Sequence, residues 1–112
     1  MRLDFIKTNT YDYSAKQGIT FQVDIKVKHS NGLPADVTGY SAEIVVYNDI
    51  DKSVIATISG NVADGPNGEI HFEHDASDTA LLPLGRYNYK MNMTTLTLVT
   101  TRLSEGFFEV NY

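Results

Sequence analysis

From Ile19 to Lys28 the chain reads ITFQVDIKVK, and this one stretch restricts the fold more than any other. Ile19, Phe21, Val23, Ile25 and Val27 alternate with Thr20, Gln22, Asp24, Lys26 and Lys28. Successive side chains of an extended strand point to opposite faces, so a period of two held over ten residues makes one apolar face and one wet face. The strand is expected to stop at His29 to Gly32, where Asn31-Gly32 supplies the positive φ of a tight turn.

The same period returns along the chain. Ala42, Ile44 and Val46 alternate with Glu43, Val45 and Tyr47, and SVIATIS repeats the pattern with Val54, Ala56 and Ile58. Gly65-Pro66 and Asn67-Gly68 mark a turn, after which Ile70 and Phe72 face inward and Glu69, His71 and Glu73 outward. Ser77 is placed to cap a short helical turn near residues 78–82, which Pro83 and Gly85 end, leaving Leu81 and Leu82 to plug the end of the fold. Tyr87, Tyr89, Met91 and Met93 then form one strand face, with Arg86, Asn88, Lys90 and Asn92 on the other. Leu96 to Leu103 and Gly106 to Val110 read as the last strand, bent at Gly106. Seven to eight short strands with regular turn signals predict an all-β sandwich, with residues 1–112 forming a single domain.

Composition narrows the function classes. The chain has no cysteine, so packing alone must hold it together. Its N-terminus, MRLDFIKTNTYDY, is interrupted by Arg2, Asp4 and Lys7, and no segment approaches the roughly 20 apolar residues of a membrane span. Neither secretion through a standard signal nor a membrane partner is expected. A net charge of −5 without a basic stripe argues against nucleic acid as a partner.

Three motifs, in order, carry a resemblance. The first is VTGY, with Thr38, Gly39 and Tyr40; the second is DTALLPLGRYNY, with Asp78, Thr79, Leu82, Pro83, Gly85, Tyr87 and Tyr89; the third is EGFFEV, with Glu105, Gly106, Phe108 and Val110. Together they resemble the immunoglobulin-like domain at the N-terminus of the baseplate upper protein of tailed bacteriophages, and its relatives in other phage structural proteins. The match spans residues 18–111, leaving 1–17 as an N-terminal strand or arm. It implies an immunoglobulin-like β-sandwich in the virion, made in the host cytoplasm. The implied role is that of an adaptor or decoration module docking onto head, collar or tail proteins, with self-association in the particle as a further partner. Family members often continue into a helical or fibrous region, so a role that depends on carrying a fibre is not expected of these residues.

Chemical sites are sparse. His71 and His74 are three apart, which on a strand sends them to opposite faces and argues against a shared metal. Asp64, Asn67 and Glu69 lack the alternating acidic positions of a calcium loop and read as turn formers, as do Asn48, Asp49 and Asp51. No motif joins a serine to a histidine and a carboxylate, so neither catalysis nor a cofactor is expected. Tyrosine serves both protein interfaces and sugar-stacking platforms, and Tyr11, Tyr13 and Tyr47 are the candidate contact residues. In the N-terminal arm, Leu3 and Phe5 lead to Tyr11 and Tyr13 as aromatic anchors for docking. Tyr47 beside Asn48 and Asp49 suits the alternative, a carbohydrate-binding adhesion module.

Overall fold

The computed structural model describes residues 9–29 and 31–112; the strand-like piece at Leu3 and Phe5 lies outside the described residues. Along them run β1 (Asn9–Thr10), β2 (Tyr13–Lys16), β3 (Phe21–Lys26), β4 (Ser41–Tyr47), β5 (Val54–Asp64) and β6 (Glu69–His74). A helical turn α1 (Ala76–Thr79) leads to β7 (Gly85–Thr94) and β8 (Thr100–Asn111). The hydrogen-bonded order is β1-β8-β7-β4-β5-β6-β3, with β2 also on β8. The result is an all-β sandwich with one short helix.

Strand β5 makes two layers from this one path. Its first half pairs with β4 from Tyr47↔Val54 to Ala42↔Gly60, and its second half pairs with β6 from Gly60↔Phe72 to Asp64↔Glu69. Gly60 therefore belongs to both ladders. A Cβ there would lie 2.6 Å from the Phe72 ring, so the bare backbone lets the strand pass over the core. The layers meet through Ile44, Val46, Ile58, Ile70, Phe72, Tyr89, Met91, Met93 and Phe108, all nearly inaccessible to solvent. Phe21 of β3 reaches across to Phe108 of β8, ring centroids 5.2 Å apart.

Pairing departs from the sequence pattern at identifiable places. Ile19 precedes β3 and is 60% exposed, because its backbone is bound into the turn that follows β2. Val54 is also exposed, since β5 starts with an irregular pairing opposite Val46 and Tyr47. The regular helix covers Ala76–Thr79 after Asp75, not Ser77, and continues as tight turns to Leu82. Leu82 plugs the sandwich end as expected, but Leu81 is 81% exposed, facing away one position earlier. The last strand does not begin at Leu96: the chain reverses over Thr95–Val99, and β8 starts at Thr100. Its irregularity sits at Leu103, since Met91 pairs with Ser104 while Asn92 pairs with Arg102. The extra residue turns both Leu103 and Ser104 inward.

Candidate interaction surfaces

The N-terminal tyrosines lie on a parallel edge. β1 and β2 run beside β8 in one register, from Asn9↔Ser104 to Lys16↔Asn111, interrupted only opposite Gly106 and Phe107. There the Asp12 carboxylate Oδ1 accepts the Phe107 N–H at 3.0 Å, replacing a ladder bond, and the Tyr11 N–H donates to the Glu105 carbonyl at 3.0 Å. A Cβ at Gly106 would overlap the Tyr11 carbonyl oxygen, so glycine is what lets the strand lie this close.

Beneath this edge Tyr89 is 1% exposed, its Oη 2.7 Å from both the Tyr11 carbonyl and Ser104 Oγ; it donates to the carbonyl. Burial pushes its phenol up to about 12, so it holds its proton across the physiological range. Tyr13 is half-buried, with its ring centroid 5.1 Å from that of Tyr89 and 5.9 Å from that of Phe21. Desolvation, with a smaller push from Tyr11, raises its pKa too. Tyr11 is 61% exposed and leans its ring on Tyr13, centroids 5.5 Å apart. The structure thus brings Tyr11 and Tyr13 together as a graded pair, one inner and one outer.

Tyr47 lies elsewhere, on the outward face of the sheet. Register places it in a row across β4, β7 and β8 with Asn88 and Phe107. Both aromatic rings have cationic neighbours: the Arg86 guanidinium is 4.1 Å from the Phe107 centroid, and Lys90 and Lys52 ammonium groups are 5.6 Å and 5.8 Å from that of Tyr47. Phe107 escaped the sequence reading because the neighbouring Phe108 carries the core phase. A period-two count from Phe108 would have marked it.

The motif residues hold corners. Thr38 donates its N–H and Oγ1 to Asp36 Oδ1, at 3.0 Å and 2.6 Å, and Gly39 takes φ +80° to finish the turn before half-buried Tyr40. Asp78 is exposed on the helical turn, while buried Thr79 donates Oγ1–H to the Ile19 carbonyl at 2.9 Å. Tyr87 Oη donates to the Pro83 carbonyl at 3.1 Å, tying the start of β7 to its own entry loop, and Gly85 between them has φ +148°.

Polar side chains in the loops serve the turns themselves. Asn67 Nδ2 donates to Asp64 Oδ2, and Asn48 and Asp51 each accept a backbone N–H two residues on. His71 lies between Asp24 at 2.6 Å and Glu73 at 3.3 Å, and hydrogen bonding to these carboxylates, Asp24 first, raises its pKa above the ordinary histidine value. Among the described residues no group of three or more His, Cys, Asp or Glu side chains could hold a metal ion.

Two further surfaces are apolar. One end of the sandwich exposes Ile19, Ile50, Val54, Leu81, Leu84 and Tyr112; the other exposes Leu33, Leu96, Leu98 and Val99. Among the described residues, the large hydrophobic side chains that face solvent between these ends are Tyr11 and Phe107.

This architecture defines a small all-β sandwich domain with a parallel edge strand. The N-terminal domain of phage TP901-1 ORF48 has a similar fold: TM-score 0.55 and 14% identity over 95% of this chain and 91% of that one. At that identity the likeness is one of backbone fold. CopC from Methylosinus trichosporium OB3b aligns with TM-score 0.45 and 15% identity over 93% of this chain and 83% of its own. The Listeria monocytogenes internalin-like protein lmo2027 aligns with TM-score 0.43 and 18% identity over 93% of this chain and 28% of its own. No family model matches the chain, and no curated protein matches it.

Proposed function

We propose that this chain is a non-enzymatic structural module of a tailed-phage particle, an immunoglobulin-like domain that docks onto other virion proteins of the head, collar or tail. The observation that carries the reading is the fold shared with the phage ORF48 domain over nearly the full length of both chains. An immunoglobulin-like assignment draws support from strand order: β3, β6 and the end of β5 correspond to B, E and D, and β4, β7 and β8 to C, F and G. Tyr87 supports it too. It sits at the start of the F-like strand and bonds backbone four residues upstream, as the tyrosine corner of such sandwiches does.

The glycan-binding alternative finds its best surface in the Phe107–Asn88–Tyr47 row. A sugar stacking there would compete with Arg86, Lys52 and Lys90 for the ring faces, which favours the protein-docking reading. A mass-spectrometric inventory of purified particles, divided into head and tail fractions, tests the proposal. The chain is expected in one fraction at stoichiometric level. Its absence from both, with binding on a glycan array lost in Tyr47→Ala, would transfer the assignment to the alternative.

A further inference from the structure

Strand β3 ends the hydrogen-bonded path, and its outer side is an unfilled ladder. Phe21, Val23 and Ile25 pair with His74, Phe72 and Ile70 of β6, and Val27 continues that row by donating its N–H to the Gly68 carbonyl at 2.8 Å. His29 keeps to the same side, donating to the Leu33 carbonyl at 2.9 Å. In an antiparallel ladder every second residue turns both its main-chain groups toward one neighbour. The N–H and C=O of Gln22, Asp24, Lys26 and Lys28 therefore point the other way, where no strand lies among the described residues.

An open edge is usually blunted by proline, a bulge or shortness. β3 has none of these, running six residues in unbroken register. Its inner side is incompletely covered, with Val23 and Ile25 only half-buried. Its outer side carries both signs of charge. Asp24 is 81% exposed although one of its oxygens meets His71 Nδ1, and Lys26, across from Glu69, makes no ion pair among the described residues.

We infer that β3 pairs with β3 of a second copy of this chain, antiparallel about a two-fold axis at Ile25, so that two sheets become one. The charges choose the register. With Ile25 opposite Ile25 of the second copy, Asp24 faces Lys26 of that copy, Lys26 faces its Asp24, and Gln22 faces its Lys28, each pair exchanging two main-chain hydrogen bonds. Moving the register two residues one way sets Asp24 against Asp24, and the other way Lys26 against Lys26, where like charges repel. A strand from another protein would satisfy the same main-chain groups, but the order of Asp24 and Lys26 is complementary to itself, which argues for a second copy. Six residues enclose less than the roughly 800 Å² per partner of a standard interface, so the dimer belongs to the weak, concentration-dependent class. The inference concerns the isolated chain and does not rest on docking in a particle.

Sedimentation equilibrium of the full chain tests it from about 10 μM to about 1 mM, the range in which so small an interface associates. The wild type is expected to pass from monomer to dimer. Asp24→Lys and Lys26→Asp, each shown by its urea midpoint to be folded, are expected to stay monomeric, because each sets like charges against like in both pairs. An equimolar mixture of the two variants should regain the dimer, a rescue that mere damage to β3 would not give. A monomeric wild type at the highest concentration would overturn the inference, as would a dimer that neither variant weakens or a mixture that stays monomeric. Should either variant fail to fold, wild-type amide exchange decides: the Gln22, Asp24 and Lys26 amides should slow severalfold across that concentration range. Exchange that does not change with concentration overturns the inference whether fast or slow, the slow case giving the edge to another part of the same chain.

Discussion

The N-terminal edge and the β7–β8 tip make opposite uses of apolar side chains. At the edge, Tyr11 and Tyr13 look in the sequence like anchors on a loose arm, yet the backbone that carries them is paired with β8, and Tyr13 closes the core over Tyr89 and Phe21. At the tip, Leu96, Leu98 and Val99 look like residues of the last strand, yet they face solvent on a reversal of the chain. Pairing, more than residue type, decides which apolar group is hidden. An aromatic residue beside a strand with a free edge is drawn into the fold, while a leucine at a hairpin reversal has no layer to enter.

Substitutions can break this contrast at several depths. The largest effect is expected at Phe108, fully buried where β8 meets Phe21: Phe108→Ala should cost about 3 to 5 kcal/mol, measured by urea denaturation. Gly106→Val should follow at about 3 kcal/mol, because the added side chain meets the Tyr11 carbonyl and forces the N-terminal strand off β8. A Gly106→Val protein as stable as the wild type would mean that the edge strand is dispensable.

Tyr89→Phe should cost about 1 to 3 kcal/mol by leaving the Tyr11 carbonyl and Ser104 without that partner. It should also change alkaline behaviour. The unfolded phenol ionises near pH 10 and the folded one holds its proton to about 12, so this stabilisation is present below pH 10 and is lost between those values. The decline in urea midpoint above pH 10 should be shallower in the variant.

At the tip the sign reverses. Leu98→Asn should stabilise by a few tenths to about 1 kcal/mol, since asparagine tolerates positive φ and no buried contact is lost. The smallest effect concerns His71. Its folded pKa is raised by Asp24 and then Glu73, so its contribution is full below the unfolded value near 6.5 and fades as pH rises through the folded value. Between pH 5.5 and 8.5 the wild type should lose slightly more urea resistance than His71→Gln.

Much of this fold is legible in the sequence. The strand phases of Ile44 and Val46, Ile70 and Phe72, and Tyr87 to Met93 are those of the core, because each strand has another packed over one face. The all-β class follows from those phases. What the sequence conceals are positions where alternation outlasts pairing: Ile19 before β3, Val54 at the start of β5, and the whole Leu96 to Val99 tip. There the turn lacks every residue that usually announces one. The bulge is hidden for a similar reason, since Leu103 looks like any strand leucine, whereas Gly106 carries the glycine signal and serves the approach of Tyr11. Of the candidate contact tyrosines, Tyr47 falls on the sheet face opposite Tyr13, a separation visible only once the register across β4, β7 and β8 is known.

Native-state amide hydrogen exchange read residue by residue tests the contrast between edge and tip most directly. The Tyr11 and Gln17 amides, bonded to the carbonyls of Glu105 and Asn111, and the Phe107 amide, bonded to Asp12, should be protected to a similar degree as the β7–β8 ladder. Exchange of these three amides at free-chain rates, with β7 and β8 still protected, would contradict the account and return the N-terminal tyrosines to a loose arm.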